Sequence, residues 1–150
     1  MECRPVKSQI PEIWETEEEK GLSSIALKKK YIAFARHNFI SNPPKMVLNN
    51  ATGWSIEISN RVINEWWGKS RTRERILAIQ LLEVMLEGAK FIETVKDNKE
   101  TPGIENVSYF SNFCMINGKP FDIKITIKKM SDNNRRYVYY YAATNAVNGQ

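Results

Sequence analysis

The chain has 150 residues, of which 42% are apolar, 11% aromatic and 26% charged. That is about one ordinary domain, with a composition that argues against wholesale disorder and lets a core pack without metal or disulfide staples. Two cysteines, Cys3 and Cys114, exclude a disulfide scaffold and leave too few thiolates for a zinc site unless His37 and a carboxylate joined them.

No apolar run approaches the roughly 20 residues of a membrane span, and the first residues lack the basic-then-apolar pattern of a secretion signal. The expectation is a soluble, cytoplasmic protein with no membrane partner, no metal and no cofactor. The net charge of +5 is unevenly spread: residues 1–21 carry −3 and the remainder +8. A basic body behind an acidic leader suits a polyanion-binding surface, or one partly shielded by its own tail; ordinary surface lysines are the plain alternative.

In chain order, residues 1–21 hold Pro5, Pro11, a glutamate run and Gly21, and read as a loosely docked tail or short helix. Ser23 or Ser24 caps a helix running to Ile40, with Leu27, Tyr31, Phe34 and Ala35 on one face, and Ser41-Asn42-Pro43-Pro44 stops it. Short strands at 46–48 and 54–59 flank a turn at Asn49–Gly53. A short helix, Arg61–Trp67, ends at Gly68. From Ser70 to Gly88 the periodicity predicts the strongest helix, with Leu77, Leu81, Leu82 and Met85 inward.

A strand at 90–95 precedes a three-stranded antiparallel meander. Its strands are Val107–Met115, Phe121–Lys128 and Arg135–Tyr141, and its Asn117-Gly118 turn is of the primed hairpin type. In the middle strand Phe121, Ile123, Ile125 and Ile127 face inward, while Asp122, Lys124, Thr126 and Lys128 face out. Residues 145–150 read as a frayed tail. The sequence therefore predicts a single α+β domain over residues 22–144, its amino-terminal helices packed on a curled antiparallel sheet ending in that meander.

The chain carries no GxGxxG, GxxxxGK[ST], HExxH, GxSxG or CxxC pattern, and His37 is its one histidine. Two constellations carry chemistry. Lys69, Ser70, Arg71, Arg73 and Arg75 crowd the start of the long helix, where cations oppose the macrodipole and a bound phosphate would relieve them. Alternatively these side chains spread into solvent or pair with Glu65, Glu74 and the leader glutamates. The outward meander face presents Lys124, Thr126 and Lys128 beside Arg135, Arg136 and several tyrosines, a mixture suited to a single-stranded backbone and its bases. Metal-free RNA cleavage there would use a lysine for the pentavalent phosphate and Glu57, a lysine or a tyrosine such as Tyr139 for the proton.

Several short blocks occur in a fixed order. They are Ala35-Arg36-His37-Asn38-Phe39, Thr52–Ser59, Gly68-Lys69-Ser70, Leu81-Leu82-Glu83, Ile116–Lys119, Lys124–Lys128 and Tyr139-Tyr140. Across about residues 26–144 the chain resembles the third of the domain families named for large polyvalent proteins of phages and conjugative elements. That family is similar to the nuclease superfamily uniting barnase, EndoU, the tRNA-cleaving colicins and the RelE toxins. The resemblance implies a barnase/RelE-like fold, phage or mobile-element origin, and metal-independent RNA cleavage or RNA binding. One departure is that Trp66-Trp67 precede Gly68, where the family often has histidine; the resemblance then implies a site of lysine, arginine and tyrosine, as in RelE-type toxins, or no catalytic site at all.

Taken together, the expected catalytic residues are Lys69, Lys124, Tyr139 and Glu57, with Lys69, Ser70, Arg71, Arg73, Thr126 and Lys128 binding phosphate. RNA is the expected partner. The alternative is a protein-interaction module in which Trp14, Trp66 and Trp67 form an aromatic anchor, the basic helix start meets an acidic partner, or the chain self-associates. A third reading makes the acidic leader an inhibitor in cis.

Overall fold

The computed structural model describes residues 10–59, 72–97, 102–131 and 136–147. The predicted helix Arg61–Trp67, the cluster Lys69-Ser70-Arg71, and Trp66 and Trp67 lie outside them. Among the described residues seven strands form one curled, half-barrel sheet, and helices fill its inner side.

The leader supplies strand β1 (Glu12–Ile13) and helix α1 (Glu17–Lys20). Helix α2 spans Ser24–Phe39, and the Ser23 hydroxyl accepts the Ala26 N–H at 3.1 Å, as the cap predicts. Strands β2 (Lys45–Leu48) and β3 (Ser55–Ile58) follow as an antiparallel pair. The expected long helix is divided into α3 (Arg73–Ala78), a 3-10 turn (Ile79–Leu81) and α4 (Leu82–Gly88). At the break, Gln80 Nε2 donates to the Leu77 carbonyl at 3.3 Å and competes for a group the helix ladder would use. Strands β4 (Lys90–Lys96), β5 (Ile104–Ile116), β6 (Lys119–Met130) and β7 (Tyr137–Ala146) complete the chain.

The meander is present. Asn117 (φ 53°) and Gly118 (φ 79°) take the left-handed conformation of a primed turn, and β5 and β6 pair from Ile116↔Lys119 back to Asn106↔Lys129. The sheet as a whole is mixed rather than antiparallel, because β1 runs parallel to β5 and β3 parallel to β7. Strand order is β1-β5-β6-β7-β3-β2, with β4 also pairing β5. Strand β7 runs to Ala146, past the expected fraying point.

The core lies between the inner sheet face and the helices. Leu27, Tyr31, Ala35 and Phe39 of α2 meet Ile76, Leu77, Leu82, Met85 and Leu86, and beneath them lie Phe110, Cys114, Ile116, Ile123, Ile125 and Ile127. Each large side chain so buried contributes roughly 1.5–3 kcal/mol, so this layer dominates stability. Burial pushes the Cys114 thiol up to about 11. Where β2 meets α4, the wholly buried Asn49 donates to the Leu86 and Ala89 carbonyls at 2.8 and 3.0 Å. It thereby satisfies groups that a helix end leaves orphaned.

Candidate nucleic-acid interface

The hairpin alternation sends Asp122, Lys124, Thr126 and Lys128 to the outer sheet face, opposite the core-facing Ile123, Ile125 and Ile127. Their cross-strand partners on β5 are Phe113, Ser111, Tyr109 and Val107. Lys124 Nζ sits 4.6 Å from the centre of the Tyr109 ring, and Lys128 Nζ 3.7 Å from that of Tyr140. Neither lysine makes an ion pair with any described residue. Thr126 stands between them, opposite Tyr109. Two cations are thus held by ring faces rather than carboxylates, which retains their charge for an incoming anion.

Tyr139 does not join this face. The β6–β7 register slips between Thr126 and Ile127, so that Thr126 opposes Tyr141 while Ile127 opposes Tyr139. The extra residue, Tyr140, is accommodated as a bulge, and Tyr139 takes the inward side, where it is 8% exposed within the core. Its expected place beside Lys124 is corrected accordingly. Glu57 is also buried, and Arg136 NH1 holds both its carboxylate oxygens at 3.0 and 2.9 Å. A carboxylate clamped in this way is an anchor between β3 and β7.

Arg73 was expected to hold phosphate. Instead its guanidinium grips the leader. Nε donates to Glu15 Oε2 at 2.9 Å and NH2 bonds the same oxygen; NH1 reaches the Leu22 carbonyl at 2.9 Å and NH2 the Glu19 carbonyl at 2.8 Å. Four of its five N–H donors are therefore engaged inside the chain. Arg75 likewise donates to the Thr144 carbonyl at 3.0 Å and to Asn145 Oδ1 at 3.3 Å. His37 is exposed in the last turn of α2.

The leader is docked along its described length. The Thr16 hydroxyl and the Glu19 carboxylate form a reciprocal capping box. Glu19 is 2% exposed and also accepts from Lys30 at 2.8 Å and from Tyr31 at 2.5 Å. Burial works to raise its carboxyl, but the bonds from Lys30, the Thr16 backbone and Tyr31 outweigh it and hold the group at about 2. The Tyr31 hydroxyl is correspondingly raised, by burial and by Glu19. Trp14, 60% exposed, lies over the turn, where a Cβ on Gly118 would come within 3.0 Å of its ring.

Among the described residues, no three His, Cys, Asp or Glu side chains lie close enough to share a metal ion, and no helix is long and apolar enough to cross a membrane. Tyr109 was not singled out from the sequence, and Tyr140 appeared there only within the Tyr139-Tyr140 block, with no site role. The signal for Tyr109 was available: counting back from the two-residue turn places it opposite Thr126. Tyr140 depends on the bulge, which leaves no local mark.

The architecture is a mixed α+β half-barrel with a basic, aromatic outer face. Residues 24–139 match the model of the family described as large polyvalent protein-associated domain 3, and the chain belongs to that family. No match was found among curated proteins or among solved structures.

Proposed function

We propose that the domain binds single-stranded RNA across the outer face of β5, β6 and β7. The observation that carries this reading is the pair Lys124 and Lys128, seated on the Tyr109 and Tyr140 rings with no carboxylate partner among the described residues. Phosphates would meet the ammonium groups and the Thr126 hydroxyl, and bases would stack on the rings that the lysines vacate. Lys69, Ser70 and Arg71, outside the described residues, are proposed as further phosphate ligands on the strength of the sequence alone. The similarity of its family to the barnase/RelE-like nucleases supports RNA as the polymer, and the family's name supports large polyvalent proteins of phages or mobile elements as the source.

Binding without turnover is the form of this reading that the geometry favours. Of the four residues expected to carry cleavage, Tyr139 is in the core and Glu57 is paired with Arg136. The test is a fluorescence titration of the full chain with one RNA sequence as single strand and as duplex. The single strand is expected to bind at least several-fold tighter, because only its bases can stack on the rings. Equal affinity for both would reduce the surface to a plain polyanion site, and no binding would discard the proposal.

A further inference from the structure

Strand β5 shares one edge between two neighbours. Strand β4 pairs it from Asn106 to Ser111 and β1 pairs it at Met115 and Ile116, so Asn112–Cys114 have no strand partner on that side. The Phe113 N–H there is bonded instead to Asn112 Oδ1 at 2.7 Å. A cleft of about 780 Å³ opens at this gap, lined among others by Ile92, Phe113, Asp122, Lys124 and Asn145. Its size falls in the range of small-molecule sites, about 300–1,000 Å³.

Phe113, Asp122 and Asn145 are register partners across three strands. Lys124 stands one row further along β6, about 7 Å away at two residues of strand rise. Beyond it lies the Tyr109–Thr126 row. The cleft therefore adjoins the end of the face proposed to bind RNA, with a cation at the junction, and its other wall is the edge of α4 at Val84 and Glu87. Phe113 is 45% exposed and Ile92 51%, so both offer apolar surface at the cleft wall.

We infer that this cleft takes one unstacked nucleobase of the bound strand, its phosphate resting on Lys124; the inference rests on the RNA-binding reading above. Phe113 supplies the stacking ring. The Asp122 carboxylate presents acceptors, whereas Asn145, its Oδ1 engaged by Arg75, has its Nδ2 protons to offer. An acceptor beside a donor fits a base with an exocyclic amine next to a ring acceptor, as in adenine and cytosine. Uracil offers one N–H flanked by two carbonyl oxygens, which the Asp122 carboxylate repels. The subsite therefore selects amine-bearing bases against uracil.

The experiment is a titration of the full chain with short oligomers of adenylate, cytidylate and uridylate. Adenylate and cytidylate are expected to bind at least about fivefold tighter than uridylate. Asp122→Asn should abolish that preference while uridylate affinity holds or rises, since a negative charge has been removed. Phe113→Ala should weaken adenylate and cytidylate by roughly fivefold or more. Equal binding of the three oligomers, or a preference that survives Asp122→Asn, would overturn the subsite but leave the RNA-binding face standing. Absence of salt-dependent binding to any oligomer would overturn both.

Discussion

The leader junction and the outer sheet face use the same kinds of side chain toward opposite ends. At the junction Arg73 grips Glu15, and Lys30 reaches the buried Glu19. On the outer face Lys124 and Lys128 rest on aromatic rings. A basic cluster therefore says little until its partners are known. Matched to buried carboxylates, the charges fix one chain segment to another; matched to rings, they keep most of their electrostatic reach.

The largest separation between the two regions should appear with Arg73→Ala. It leaves the Glu15 side chain, 7% exposed, without its cation and frees the Leu22 and Glu19 carbonyls. A loss of about 3 kcal/mol is expected in denaturant unfolding, together with faster proteolysis near residues 10–22. Unchanged stability would mean that the clamp is decorative.

Glu19 should give the next largest effect, and it carries a sign. Its folded-state value of about 2 lies below the ordinary 4.5, so its contribution is complete above pH 4.5 and fades as the pH falls toward 2. Roughly 2–3 kcal/mol should disappear over that interval. Unfolding measured across pH 2–6 checks this, and Glu19→Gln should flatten that acid limb. A variant that follows the parent's acid profile would contradict the assignment.

The smallest stability effect belongs to the other region. Lys124→Ala with Lys128→Ala removes two surface contacts to rings and should shift unfolding by about 1 kcal/mol or less. That small cost is what makes the pair useful as a probe of binding.

Sequence reasoning served local structure well. Ser23 capped α2, Asn117-Gly118 set the hairpin, and the Phe121–Lys128 alternation assigned both faces of β6 correctly. It was weaker wherever the deciding partner is distant. The parallel pairings of β1 with β5 and β3 with β7 join segments many residues apart. For Arg73 the sequence left two readings, a phosphate or a leader glutamate, and only the docked leader, which brings Glu15 from 58 residues earlier, decides for the second. Tyr139 was expected beside the outer-face lysines, and the bulge at Tyr140 turns it inward. The outer-face lysines and Thr126 were legible from period two alone, whereas their aromatic seats required the register and the bulge.

The most direct measurement is RNA affinity as a function of salt for the parent chain and for the Lys124→Ala/Lys128→Ala variant. Each phosphate contact on a single strand contributes about 0.7 to the slope of log affinity against log salt. The variant is expected to bind more weakly, with its slope flattened by roughly 1.4. An identical slope and affinity in a folded variant would contradict the claim that this face receives the nucleic acid.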